Sequence, residues 1–303
     1  MNKSKGKSIS ENINEPCCGT DCCNDTDVIE NETMNVNNSE EIKSIVKEQY
    51  GKIADQSKIQ NETSCCGTGC CETVDYAVFA EDYTKLKGYN PDADLGLGCG
   101  MPTEFAQIKS GDTVVDLGSG AGNDVFIARA ISGEKGKVIG VDFTEKMIAK
   151  ARENNNKLGF NNVEFRYGDI EKLPVSDNEA DVIISNCVLN LVPDKSKAFS
   201  EIYRVLKPGG HLSVSDIVTS GELPESIRTA ANMYAGCVGG AIIKDEYIDI
   251  MKNSGLNNIQ VQKERVITIP DEILNGYLNP EELEEFKASC INILSINVYA
   301  EKI

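Results

Sequence analysis

The sequence predicts an α/β fold with a doubly wound parallel core, a cysteine-rich N-terminal arm and a smaller α+β C-terminal domain. Three observations carry that expectation. From about 112 to 218, short runs rich in Val and Ile alternate with helix-length amphipathic segments, a rhythm satisfied by a parallel sheet covered on both faces. A glycine-rich turn, Gly118-Ser119-Gly120-Ala121-Gly122, separates the first such run from the segment after it. Outside this window the composition changes, toward Asn, Glu, Ser and Cys before it and toward a different order of elements after it.

Within the core, Thr113 to Leu117, Val138 to Asp142, Val163 to Tyr167, Asp181 to Ser185 and His211 to Ser215 read as strands. Helices are expected from about Asn123 to Ile131, Glu145 to Leu158 and Asp194 to Leu206, the last stopped by Lys207-Pro208-Gly209-Gly210. Beyond 218 the pattern predicts helices near Glu225 to Ala235 and Asp245 to Asn253, then strands Ile259 to Ile269 and Ile293 to Ala300. The expected division is therefore an arm over 1–75, a Rossmann-like core over 76–218 and a cap over 219–303. In the arm, Ile42, Ile45, Val46, Tyr50 and Ile53 fall at helical spacing and predict one amphipathic helix, while its composition otherwise struggles to offset ordering entropy and predicts mobility.

The chain carries 30 Lys and Arg against 48 Asp and Glu, a formal charge of -18, which repels phosphate backbones and anionic lipid surfaces. No nucleic acid and no membrane are expected as partners. No run approaches the roughly 20 apolar residues a bilayer span needs, and Met1-Asn2-Lys3-Ser4-Lys5 lacks an apolar signal core, so the expected location is cytoplasmic. Of 12 cysteines, eight lie between Cys17 and Cys71, and the others stand singly at Cys99, Cys187, Cys237 and Cys290. Cytosolic cysteines favour soft-element binding or redox chemistry over structural disulfides. With one histidine, His211, and no Trp, a histidine-centred dyad or a His-rich zinc site is close to excluded.

The glycine turn has the spacing GxGxG, with Asn123 where a dinucleotide motif places its last glycine. Glycine there admits positive φ and lets a ligand approach without a Cβ in the way. Asp142 ends the next strand, where a carboxylate accepts the two hydroxyls of an adenosine ribose. Asp116, just before the turn, discourages a pyrophosphate and suits an ammonium. After the third strand, Gly168-Asp169-Ile170-Glu171 places acidic side chains where an adenine amino group lies. Several strand ends thus converge on one ligand, as the crevice rule for open α/β sheets expects.

Cys187 ends the fourth strand in Ser185-Asn186-Cys187-Val188-Leu189-Asn190-Leu191-Val192-Pro193-Asp194. Cys99, in Gly96-Leu97-Gly98-Cys99-Gly100, and Cys237, in Cys237-Val238-Gly239-Gly240-Ala241, lie in glycine-flanked loops able to bend over the strand ends. Thiolates are soft ligands that select soft centres, and three of them around As(III) leave its lone pair free to attack.

The order of features over about 104–218 resembles the class I S-adenosylmethionine methyltransferases, which implies a seven-stranded sheet with a reversed last hairpin. Over about 40–303 the three cysteine motifs make the chain similar to the arsenite methyltransferases. That resemblance implies S-adenosylmethionine as methyl donor, thiol-bound trivalent arsenic as substrate, and Cys187 and Cys237 as arsenic ligands, with Cys99 as third ligand or disulfide partner. It also places a reactive thiol at the Cys65-Cys66 pair, with Cys66 the candidate. The expected donor-binding set is Asp116, Gly118, Gly120, Asp142, Phe143, Met147, Asp169, Ile170, Glu171 and Asn186. Methylation formally oxidises arsenic, so a thiol reductant of the glutathione or thioredoxin type, including a reductant protein as partner, is expected as co-substrate.

Plainer readings stand beside these. A single buried cysteine is more often a small core hydrophobe than a ligand, and Cys290 is expected in the core. The repeated cassettes Cys17-Cys18-Gly19-Thr20-Asp21-Cys22-Cys23 and Cys65-Cys66-Gly67-Thr68-Gly69-Cys70-Cys71 suit capture, electron supply or metal storage, though not an ordinary C-x-x-C zinc knuckle. His211 reads as a surface or edge residue, and Glu281 to Glu285 as a solvated helix face. A methyltransferase of an organic acceptor, or a non-catalytic thiol protein that sequesters arsenic or metal, shares many of these features.

Overall fold

The computed structural model describes residues 34–58, 61 and 81–303. The paired-thiol cassettes, with Cys66, and the expected mobility of the arm before residue 34 lie outside the described residues. Seven strands form one sheet in the order β3-β2-β1-β4-β5-β7-β6. They are β1 Thr113–Leu117, β2 Lys137–Asp142, β3 Val163–Tyr167, β4 Ala180–Asn186, β5 Leu206–Thr219, β6 Asn257–Ile267 and β7 Ile293–Glu301. The first five are parallel, and β7 runs antiparallel between β5 and β6.

The central strands carry apolar runs on both faces because helices cover both, so no regular polar alternation survives. Val114, Val115, Leu117, Val182, Ile183 and Ile184 are all fully buried. One face packs against helices Asn123–Ser132 and Glu145–Leu158, the other against Lys195–Val205 and Lys244–Asn253. The direction in which successive strands are added reverses between β1 and β4, since β2 and β3 lie to one side and β5 to the other. That switch point opens a crevice at the carboxyl ends of the strands, and every candidate loop ends there.

The helix expected in the arm is present as Ser39–Ala54, capped by Asn38, whose side chain accepts from Glu41 N. Ile42 and Val46 are buried while Glu40, Glu48 and Lys52 face outward. Packing that stripe, rather than intrinsic propensity, is what holds a helix of this length. It rests on helix Glu145–Leu158 and on the 3-10 turn Leu189–Leu191, so this part of the arm is a strap across the core.

The boundary expected at 218 does not separate two sheets. β5 continues to Thr219, and β7 pairs with it from His211↔Glu301 to Thr219↔Ile293. The C-terminal strands complete the core sheet because their apolar faces are buried only against it, and after residue 219 what covers the strand ends lies in 220–243 and 268–292. The single helix expected from Glu225 to Ala235 is broken into Glu225–Thr229 and Ala231–Ala235, with Ala230 extended between them (φ -70, ψ 119).

His211 is not a surface residue. β7 covers it, its Nε2 lies 2.6 Å from the Ala106 carbonyl oxygen, and its ring packs on Tyr299. Cys290, expected in the core, is exposed at the turn after helix Pro280–Ala288. Glu281, Glu284 and Glu285 face solvent as expected.

Candidate active site

The crevice is an open cleft holding about 960 Å³ of space, solvent mouth included. The glycine turn forms its floor, held by Gly118 N and Ser119 N donating to the Val141 carbonyl at 2.8 and 3.0 Å. Two of its glycines are required for different reasons. At Gly118 (φ +66) a Cβ would overlap the side chain of Val188, so protein fills the space. At Gly120 (φ +50) a Cβ would meet nothing within 4 Å and would project into the space a ligand takes.

Asp142 is held by its own turn: its Oδ1 accepts from Thr144 N at 2.8 Å and its Oδ2 from Gly120 N at 3.0 Å. The carboxylate therefore fixes the second strand end to the glycine turn while lining the cleft. Asp116, Asp124 and Asp142 are all buried on its wall, and none forms an ion pair among the described residues. Burial pushes the Asp116 carboxyl well above the usual range, with Asp124 and Asp142 nearby adding repulsion. Burial raises Asp124 to about 6, against hydrogen bonds from Asn186 and Tyr83. Asp142 is raised by burial and held back by its backbone donors. A cleft walled by carboxylates without counter-cations favours a cationic ligand and disfavours a pyrophosphate. This fits an adenosyl sulfonium carrying an ammonium arm.

Of the expected donor-binding residues, Asp116, Gly118, Gly120, Asp142, Phe143, Ile170 and Asn186 line this cleft. Met147 does not; it is fully buried in the core beneath, because its position on helix Glu145–Leu158 faces the sheet. Asp169 and Glu171 are taken up by the strap. Lys43 Nζ lies 2.7 Å from Asp169 Oδ2 and 2.7 Å from Glu171 Oε2, and Glu171 Oε1 also accepts from Asp194 N. Asp169 borders a smaller pocket with Phe143, Ile170 and Lys43, so it stands at the cleft edge with its charge already paired. Lys43→Ala should raise hydrogen exchange of the amides of 46–54 about five- to tenfold, the loss of roughly 1 kcal/mol from a partly buried pair. Unchanged exchange would mean the apolar stripe alone holds the strap.

The three loop cysteines come together. Cys99, Cys187 and Cys237 pack in one buried cluster, and Cys237 Sγ donates to the Cys187 carbonyl at 2.8 Å. All three are free and buried, under a cover formed by Ile42 and Val46 of the strap, Leu191, and Tyr234 and Val238 of the 220–243 segment. Cys187 is the member that also lines the cleft. Among the described residues no three His, Cys, Asp or Glu side chains close into a metal cage. Burial raises Cys99 to about 11 and Cys187 well above its ordinary value, the neighbouring thiols adding to the second.

Cys187 and Cys237 both have left-handed backbones (φ +58 and +67), uncommon for a residue with a Cβ. Cys187 is kept there by its N–H donating to the Ser215 carbonyl at 2.7 Å, and Cys237 by its N–H donating to the Tyr234 carbonyl at 2.9 Å. Cys290 shares the conformation at an exposed turn (φ +56). It is burial and convergence, not strain alone, that mark the pair.

The sequence pattern assigns no role to four groups that the structure brings to the site. Tyr83 and Asp124 join Asn186 on the cleft wall, and Lys43 closes the strap. Behind the thiols, Asp216 on β5 accepts from Tyr247 OH at 3.1 Å and from Ile217 N at 3.0 Å. Burial raises Asp216 to about 7, and it lowers the nearby Lys195 ammonium to about 8.

Residues 108–265 match a family described as a methyltransferase domain. An arsenite methyltransferase of Halobacterium salinarum is 47% identical over 169 residues, 56% of this chain and 43% of that protein. One of Mus musculus is 37% identical over 192 residues, 60% of this chain and 50% of the other. The chain thus spans about half the length of the curated relatives it matches. The crystal structure of an arsenic(III) S-adenosylmethionine methyltransferase from Chlamydomonas reinhardtii superposes with a TM-score of 0.59 at 34% identity, covering 68% of each chain. With that family match and that structural neighbour, the chain belongs to the methyltransferase-domain family and, within it, to the arsenic(III) S-adenosylmethionine methyltransferases.

Proposed function

We propose that the chain methylates trivalent arsenic held by Cys99, Cys187 and Cys237, with S-adenosylmethionine as donor. The observation that supports this best is the position of Cys187, which belongs both to the buried thiol trio and to the wall of the anionic cleft. When bound, the donor supplies a methyl group on a cationic sulfur.

The residues divide the work. Asp142 and the glycine turn hold the adenosyl end, and the carboxylates of Asp116 and Asp124 favour the charged end. The three thiols take arsenic by exchange from a glutathione conjugate: each cysteine proton passes to a departing glutathione thiolate as an As–S bond replaces another. The arsenic lone pair then forms the As–C bond, and the electrons of the S–C bond stay on the donor sulfur, leaving a neutral thioether. Positioning of this kind is worth up to about 7–11 kcal/mol. Two thiols closing to a disulfide return arsenic to the trivalent state, and a glutathione- or thioredoxin-type reductant reopens it. Cys99 and Cys187 are the proposed pair, and Cys66 is the proposed further thiol. Because the three thiols do not close into a cage, capture requires them to shift together.

Among the described residues no helix is long and apolar enough to cross a membrane. Incubating the full chain with arsenite, glutathione and S-adenosylmethionine should give methylated arsenic and one S-adenosylhomocysteine per methyl group transferred, read by arsenic speciation and chromatography. Inorganic arsenic alone at the end of the reaction would exclude the proposal.

A further inference from the structure

Behind the thiol trio stands a carboxyl group that neither donor binding nor arsenic capture uses. Asp216 is fully buried on β5. It accepts from Ile217 N at 3.0 Å and from Tyr247 OH at 3.1 Å, and among the described residues no cation forms an ion pair with it. Its neighbours on both sides are fastened to the turn that carries Cys187. The Ser215 carbonyl accepts from Cys187 N at 2.7 Å, and the Ile217 carbonyl accepts from Asn190 Nδ2 at 2.5 Å. Cys187 takes the Cys237 thiol on its own carbonyl, and Ile217 packs in the same buried cluster as all three cysteines. Asp216 is near enough for its charge to push the Cys99 thiol up. Burying a carboxylate with neutral donors alone is costly, and a neutral asparagine of the same size would serve Ile217 N and Tyr247 OH.

Methyl transfer gives that charge a use. Arsenic bound by three thiolates is neutral. When its lone pair forms the As–C bond and the S–C electrons stay on the donor sulfur, one positive charge leaves the cleft and arrives on arsenic, which then carries three sulfurs and a methyl. A fixed negative charge beside the place where positive charge develops lowers such a barrier, the more so where water is excluded. We propose that the Asp216 carboxylate stabilises the positive charge arriving on arsenic, with Tyr247 as the positioning residue that fixes it. This rests on reading the thiol trio as the arsenic site. Besides the thiols, the titratable groups that face Asp216 are Lys195 on helix Lys195–Val205 and Tyr247 on helix Lys244–Asn253. Both hold its carboxyl down against burial, and Glu246 acts in turn on Lys195.

The test is single-turnover methyl transfer on the full chain loaded with arsenite, with loading read by As–S absorbance in the ultraviolet and donor saturating at each pH. In wild type the rate should rise with pH through about 7, because the raised carboxyl is charged only above that value. Asp216→Asn should lose this limb and, at about pH 8, fall on the order of tenfold to a hundredfold, less than loss of a group in direct contact with the charge. Its arsenic loading and S-adenosylhomocysteine affinity should stay within about twofold of wild type. A limb owed to Asp116, Asp124 or Asp142 would persist in this variant. Lys195→Met and Tyr247→Phe each remove a group that holds the carboxyl down, and each should move the limb to higher pH, which keeps the proposal testable if Asp216→Asn does not fold. A wild-type rate flat from about pH 6 to 8 overturns the proposal. So does Asp216→Asn within about threefold of wild type at about pH 8, loss of arsenic loading in a folded Asp216→Asn, or a limb unmoved in both other variants. Wild-type protein that neither loads arsenic nor transfers a methyl would instead overturn the reading of the site.

Discussion

Cys187→Ser should lower methyl transfer to arsenic by about three orders of magnitude or more, while S-adenosylhomocysteine affinity stays within about twofold. The magnitude follows from losing the ligand that places arsenic beside the cleft, since orientation of reactants accounts for much of such a rate, and from the poor match of a hydroxyl to a soft centre. The fold should tolerate the change. The anchors of Cys187 are backbone groups: its N–H donates to Ser215 O, and its carbonyl accepts from Cys237 Sγ. Serine keeps both and is nearly the same size. Cys290→Ser serves as control, because that thiol is exposed and hydrogen-bonds only weakly, to Ala288 O at 3.7 Å. Radiolabelled methyl transfer with parallel equilibrium dialysis reads both quantities. Activity of Cys187→Ser within tenfold of wild type would sink the arsenic assignment and favour an organic acceptor.

Groups whose chemistry is declared by residue type and spacing are legible in the amino-acid sequence alone. The glycine turn, Asp142 one strand later and the three loop cysteines occupy the places expected of them, because topology sends successive strand ends to the same edge. Groups whose role is created by distant packing are not legible in that way. Asp169 reads as free to meet an adenine, yet Lys43, 126 positions earlier, holds it at 2.7 Å. Asp124 is hidden by its position, since a carboxylate in a first helical turn is commonplace and only its missing partner sets it apart. Tyr83 lies in a loop segment with no periodicity to flag it, and its partner Asn186 is 103 positions away. His211 follows a Gly-Gly turn that suggests solvent, but the antiparallel β7 buries it. The same insertion of β7 explains the displaced domain boundary: sequence rhythm shows that strands occur after 218, not which edge they join.

The glycine turn offers a way to separate donor binding from acceptor placement. Gly118 and Gly120 both have positive φ, so alanine at either costs roughly 1–2 kcal/mol of backbone strain. Gly120→Ala should add little else to the protein, as its Cβ enters open space. Its expected result is a melting temperature lowered by about 2–8 °C and donor affinity reduced on the order of a hundredfold, because the methyl occupies ligand volume. Gly118→Ala drives a Cβ into Val188, the neighbour of Cys187, and overpacking adds about 1–3 kcal/mol to the strain. Turnover should therefore fall on the order of a hundredfold even at saturating donor, since the displaced Val188 carries Cys187 with it. Calorimetry with S-adenosylhomocysteine, melting curves and saturating-donor kinetics separate the two variants. If Gly118→Ala lost only donor affinity and turned over normally once saturated, the two loops would be independent, and the contact through Val188 would have no part in aligning arsenic with the methyl group.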